Sequence, residues 1–178
     1  VYKDNLGKIF MAINEETRMH GSAVLILFEA LGKEIPEINF TLRTGESRNS
    51  YVIEAIRPSI IGKGTRLAAG LYIKSSQKRR SPWRYNYIEQ HQNEIAALKN
   101  KYGEVFNVYV NSADGFACLN FSEFKRFLDE VHEEQEWIRI SRRPKEAYRV
   151  TGNDGRDEMA LHMNNFPIAI VDYFRDNL

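Results

Sequence analysis

The stretch Glu89-Gln90-His91-Gln92-Asn93-Glu94-Ile95-Ala96-Ala97-Leu98-Lys99-Asn100-Lys101-Tyr102-Gly103-Glu104-Val105-Phe106-Asn107-Val108-Tyr109-Val110 decides the fold class. Ile88, Ile95, Leu98 and Tyr102 fall on the inward side of a helix over 89–102, and Gly103 stands just past its end as a stop signal. Val105 to Val110 is then almost continuously apolar, the pattern of a strand covered on both faces. A surface helix feeding a doubly covered strand implies a sheet with helices on either side, an α/β or α+β architecture.

Reading outward, Asn14-Glu15-Glu16-Thr17 offers a capping side chain and first-turn carboxylates. Met19, Ala23, Ile26, Leu27, Ala30 and Leu31 then recur at helical spacing until Gly32 supplies a stop. Val24, Leu25 and Phe28 make this helix apolar nearly all round, as expected of a central element. Three strand-like runs follow: Ile38 to Arg43, Tyr51 to Ile56 and Leu67 to Ser75. Thr44 to Asn49 suits a hairpin loop between the first two. Arg57-Pro58 through Gly62-Lys63-Gly64-Thr65 joins the second pair.

Downstream, Ser112-Ala113-Asp114-Gly115 turns the chain into a second apolar run, Phe116 to Leu119. Asn120 and Glu123 form a capping box for a helix burying Phe121, Phe124, Phe127, Leu128 and Val131. Trp137 to Ser141 and Ala147 to Thr151 read as strands, and Phe166 to Phe174 as a docking helix starting near Pro167. With no internal repeat or linker, residues 1–178 make one domain. Its core lies at about 14–134 and a C-terminal extension at about 135–178. The predicted arrangement is a single mixed sheet flanked by helices, an αβββαβ core followed by a strand and helix extension.

Across 178 residues, 43% apolar and 28% charged side chains match an ordinary soluble domain. This excludes disorder, collagen-like architecture and a small disulfide scaffold. Cys118 is the single cysteine, so no intrachain disulfide forms; within Phe116-Ala117-Cys118-Leu119 it reads as a small buried hydrophobe. One free thiol fits a reducing compartment, and a cytoplasmic location is expected. Ala23 to Leu31, interrupted by Glu29, is too short to span a bilayer, and no signal-peptide pattern is present, so no membrane partner is expected. The opening residue is Val1 rather than Met, read as a trimmed N-terminus.

A net charge of +1 predicts no polyanionic partner, but its distribution does. From Ala55 to Ile88 no Asp or Glu occurs, while Arg57, Lys63, Arg66, Lys74, Lys78, Arg79, Arg80 and Arg84 do. A second basic cluster, Arg139, Arg142, Arg143, Lys145 and Arg149, follows the acidic run Asp129, Glu130, Glu133, Glu134 and Glu136, and these two segments could neutralise one another. Lys74-Ser75-Ser76-Gln77-Lys78-Arg79-Arg80-Ser81-Pro82-Trp83-Arg84-Tyr85-Asn86-Tyr87 carries five cations and three aromatics in 14 residues. Cations neutralise phosphates, hydroxyls donate to phosphate oxygens, and aromatic faces stack on unpaired bases. The competing reading puts Trp83, Tyr85 and Tyr87, which alternate as in a strand, on a buried face, with the charges on a solvated loop or against an acidic protein partner.

Gly62-Lys63-Gly64-Thr65 lacks the upstream glycine of a phosphate loop, having Arg57 in that place, and is followed by a strand. Gly152-Asn153-Asp154-Gly155 reads as a turn, with too few carboxylates for a calcium loop. His20, His91, His132 and His162 show no metal-ligand spacing and read as ordinary helical or surface histidines.

Glu54 in Val52-Ile53-Glu54 and Lys74 in Tyr72-Ile73-Lys74 stand on the second and third strand-like runs. The order of elements from Asn14 to Val110 resembles the core of the PD-(D/E)XK nuclease fold. That resemblance implies an acid on the second strand and an acid-x-Lys on the third, binding a divalent metal such as Mg2+ that activates water and stabilises charge on phosphate. By position Glu54 would be the metal-binding acid and Lys74 the catalytic lysine, with Glu15, Glu16 or Glu29 assisting. The chain departs from the family where the second acid would stand: Tyr72, a phenol with a pKa of about 10, is a poor magnesium ligand.

The expected function is nucleic-acid binding, with Lys74, Lys78, Arg79, Arg80 and Arg84 on phosphate and Trp83 and Tyr85 stacking or supporting. The alternatives are a degenerate metal-dependent nuclease using Glu54 and Lys74, and a non-catalytic interaction domain. In the last, 105–121 and the C-terminal tail bury against a partner, a second copy included.

Overall fold

The structure is a computed structural model and describes residues 14–60, 62, 64–129, 131–134, 136–153 and 158–178. Lys63, Glu130 and the Asp154-Gly155 half of the expected turn lie outside the described residues. In chain order the elements are α1 (Glu15–Glu34), β1 (Asn39–Thr44), β2 (Ser50–Arg57), β3 (Thr65–Ser76), β4 (Trp83–Tyr87), α2 (Glu89–Tyr102) and β5 (Val105–Asn111). After a 3-10 turn at Ser112–Asp114 come β6 (Phe116–Asn120), α3 (Phe121–Phe124), β7 (Glu136–Ser141), β8 (Tyr148–Gly152), β9 (Met159–Leu161) and α4 (Asn165–Asn177).

The fold is mixed α/β, but with two sheets where the sequence predicts one. The first has the order β1-β2-β3-β5-β6, and the second β4-β7-β8-β9. All pairings are antiparallel except β3 with β5, whose parallel register sets Gly70 beside Val105 and Lys74 beside Tyr109. The connection from β3 to β5 runs through β4 and α2, so the chain visits the second sheet before closing the first.

Each face of the first sheet has its own core. Leu27 and Leu31 of α1, with Ile170 and Phe174 of α4, pack on Ile53, Leu71, Ile73 and Val108. On the opposite face Ile95 and Leu98 of α2 and the inner side of the second sheet, with Trp83, Tyr87, Ile138, Ile140, Tyr148 and Val150, meet Tyr72 and Tyr109. All seven β5 residues are buried, the physical basis of its continuous apolar pattern. Gly70 lets α2 approach: a Cβ there would stand 2.8 Å from the Leu98 Cβ and 3.1 Å from a Val105 methyl.

Local signals place most boundaries. The Asn14 side chain accepts from the Thr17 amide at 2.8 Å, capping α1, and Glu15 and Glu16 favour its N-terminal dipole. Gly32 does not end the helix. One further half-turn carries Ile35 into the core, where its amide bonds to the Leu31 carbonyl at 2.9 Å.

The helix expected after Asn120 is a single turn. Its Asn120/Glu123 capping box forms and Phe124, Phe127 and Leu128 are buried, but Val131 is 72% exposed because the chain has left helical geometry by then. Ile88, expected inward, is 52% exposed: it sits at the cap position, outside the helical repeat. In α4 Phe166 is non-helical, so regular helix starts at Pro167 as expected. Residues 136–178 are no appendage: β7, β8 and β9 build three of the four strands of the second sheet, and α4 packs on α1 and β6. No described helix is long and apolar enough to cross a membrane.

Candidate nucleic-acid interface

The two basic segments of the sequence meet on the outer side of the second sheet. In β4 the buried Trp83, Tyr85 and Tyr87 alternate with the exposed Arg84 and Asn86. Antiparallel pairing sets Arg84 directly opposite Arg139 of β7. Two guanidinium groups in that position repel, at a cost of several tenths of a kcal/mol. Arg84 also lies over the half-buried Trp137 ring, 4.9 Å from its centroid.

Beyond the strand, residues 77–80 are exposed, and the loop is pinned from both sides. Trp83 Nε1 donates to the Lys78 carbonyl at 2.6 Å, and Lys78 Nζ to the Pro82 carbonyl at 2.7 Å. The Arg142 amide donates to Ser81 Oγ at 2.8 Å, bringing the end of β7 and the exposed Arg143 against the loop.

Among the described residues Lys78, Arg79, Arg80, Arg84, Arg139 and Arg143 form no ion pair with a carboxylate. The other two arginines of the second cluster are spoken for: Arg142 by Asp114, and Arg149 by Glu146 and Glu158. Of the acidic run, Glu136 turns inward to Gln92 and His132 rather than toward the exposed cations.

Of the two roles expected for Trp83 and Tyr85, stacking on bases or supporting the loop, burial leaves the second. They are 1% and 4% exposed, and the Tyr85 hydroxyl donates within the core, towards Asn111 Oδ1 at 2.7 Å and the Val110 carbonyl at 3.0 Å. Burial pushes the Tyr85 phenol far up. Both support the face from below, and the aromatic open to a ligand is Trp137, which sequence reasoning did not assign. Arg139 was visible as part of a cluster, but its position opposite Arg84 was not.

Lys74 is separate from the loop. Its ammonium lines a pit of about 170 Å3 bordered by Glu16, Asn49, Ser75, Arg84, Tyr85 and Asn86. Nζ donates to the Asn86 carbonyl at 2.9 Å, lies 3.2 Å from His91 Nδ1, and sits 4.6 Å above the centre of the Tyr87 ring. Burial lowers its pKa to about 8, partly offset by the Glu16 charge. With Lys74 Nζ and the Ile88 amide both directed at Nδ1, His91 is assigned its proton on Nε2. Burial and then the Lys74 charge lower the His91 pKa. Tyr72, 1% exposed, is pushed by burial to about 12, partly offset by the Asn49 side chain.

Glu16 borders a second hollow, of about 630 Å3, with His20, Arg48 and Tyr51. His20 lies on α1 as expected but not at the surface: it is 4% exposed and its Nδ1 meets the Tyr51 hydroxyl at 3.0 Å.

The structure does not bring Glu54 to Lys74. Glu54 pairs with Arg43 at 2.8 Å and stands opposite Ala68, six positions along β3 from Lys74, or about 20 Å at the rise of a strand. Glu54 is therefore no metal-binding or catalytic partner of Lys74; the acid at the pit is Glu16. Among the described residues no group of three or more His, Cys, Asp or Glu side chains could hold a metal ion. No known family model, curated protein or solved structure matches the chain.

Proposed function

We propose that this chain binds nucleic-acid strands along the outer side of its second sheet. The phosphates lie on Lys78, Arg79, Arg80, Arg84, Arg139 and Arg143, and a base lies on Trp137. The carrying observation is the direct opposition of Arg84 and Arg139 without a carboxylate beside either. A phosphate between two guanidinium groups turns their repulsion into paired charge-assisted hydrogen bonds. An arginine over an indole offers the mixture of charge and π-surface that single strands use.

The element order α1-β1-β2-β3-β4-α2-β5 has one strand more than the αβββαβ order on which the PD-(D/E)XK-like resemblance rests. With Tyr72 in the second acid's place and Glu54 remote, the reading is binding without that family's metal chemistry.

The test is fluorescence anisotropy with labelled single- and double-stranded DNA and RNA across a salt series. Four to six phosphate contacts give a log–log salt slope of about −4 to −5 on duplex. Arg79→Ala with Arg80→Ala should weaken binding on every sequence and flatten that slope by about one to two. Unchanged affinity in the double variant would overturn the assignment. Added magnesium should leave the strands intact on a denaturing gel.

A further inference from the structure

Lys74 differs from the exposed cations of this side in being half-buried, with no carboxylate paired to its ammonium group among the described residues. A backbone carbonyl and an imidazole nitrogen hold it instead. A carbonyl cannot take a proton from an amine, but His91 Nδ1, assigned as a lone pair, can. With the pKa lowered to about 8, about a tenth of the amine is free at pH 7, against less than a thousandth for an ordinary lysine. Arg84 borders the same pit and suits a phosphate oxygen. An amine nucleophile and a guanidinium thus border one pit, and a proton acceptor stands 3.2 Å from the amine.

We propose that Lys74 forms an imine with a phosphate-bearing aldehyde held in this pit, the phosphate resting on Arg84. The Nζ lone pair adds to the carbonyl carbon. The proton leaving nitrogen passes to His91 Nδ1 while the carbonyl oxygen gains a proton from water, giving a carbinolamine. His91 returns its proton to the departing hydroxyl, water leaves, and the C=N bond forms as a protonated imine, which loses its proton to solvent. One source of such an aldehyde rests on the strand-binding reading: the ring-opened sugar of an abasic site, whose flanking phosphates lie on the basic side. The other is a free small molecule with both groups, for which pyridoxal phosphate is the probe.

The full chain is incubated with labelled DNA containing one abasic site, with the intact oligonucleotide, and with pyridoxal phosphate, each under borohydride reduction, and adducts are located by peptide mass mapping. The expected result is an adduct with abasic DNA at Lys74, exceeding that at any exposed lysine by about a hundredfold at pH 7. It is lost in Lys74→Arg, reduced in Arg84→Ala and kept in Lys33→Arg, an exposed lysine in the last turn of α1. Mapping in the unmodified protein locates the bond even where a variant misfolds. An adduct with pyridoxal phosphate alone keeps the imine site and overturns the strand as its source. No Lys74 adduct with either probe overturns the proposal, and anisotropy with the intact oligonucleotide judges strand binding separately.

Discussion

Replacing Lys74 with methionine keeps a flexible stem over Tyr87 and removes the charge. The folded amine titrates near pH 8 because burial disfavours the ammonium form, while in the unfolded chain it titrates near 10.5. Below pH 8 both states hold the proton and stability does not depend on this group. Between about 8 and 10.5 only the unfolded chain holds it, so stability rises with pH across that window. From pH 7 to 9.5 the gain attributable to Lys74 is about 2 kcal/mol. Urea unfolding followed by tryptophan fluorescence at pH 7, 8.5 and 9.5 measures it for both proteins. The wild type should gain on Lys74→Met by about that amount, whatever the offset at pH 7 from the lost Asn86 and His91 contacts. Groups common to both proteins cancel in the difference. Parallel profiles, within about 0.5 kcal/mol, would mean that Lys74 is solvated and would remove the physical basis for a reactive amine there.

Arg139→Thr relieves the opposition to Arg84 and should stabilise the fold by about 0.5 kcal/mol while weakening strand binding, opposite signs that thermal unfolding and anisotropy would read together. A loss of stability would show that Arg139 has a structural partner. Asp114 accepts from Arg142 Nε at 2.9 Å, Arg142 Nη2 at 2.5 Å and the Tyr148 hydroxyl at 2.9 Å. Burial alone would raise its pKa, but these donors hold it below the usual carboxylate range. Asp114→Ala should lower stability by about 2 kcal/mol at pH 7. Because the carboxyl titrates lower when folded, the gap to wild type should persist above the ordinary Asp range and shrink as acid protonates the folded form; urea midpoints at pH 7 and pH 3 would show it.

Local pattern carried the elements whose information is local. The helix over 89–102 and the buried strand after it were legible because a 3.6-residue repeat, a glycine stop and an apolar run all sit within about two dozen residues. The second sheet was not, because β4 is five residues long, lies under a run of cations, and finds its partner β7 about fifty residues later. Its alternation was visible in Trp83, Tyr85 and Tyr87, but periodicity alone does not say which of two faces meets water. The same limit governed the site. Charge counts marked Lys78, Arg79, Arg80 and Arg84, whereas the approach of Arg139 and Trp137 depends on register. Glu54 and Lys74 looked adjacent because they occupy neighbouring strands, yet an antiparallel hairpin fixes one partner for each residue, and Glu54 faces Ala68. The Lys74–His91 contact joins a strand end to a helix start across 17 positions and leaves no sequence signature.

The alternation in β4 also constrains how this protein can change. Its odd positions fill the core and its even positions face outward, so five consecutive residues encode a packing problem and a surface chemistry side by side. Substitutions at Arg84 or Asn86 can retune the surface without disturbing the interior. Inserting or deleting one residue between Pro82 and Tyr87 would exchange the two sets, sending guanidinium inward and indole into water in a single step. A change that keeps both faces of this strand is therefore a replacement and not a change of length.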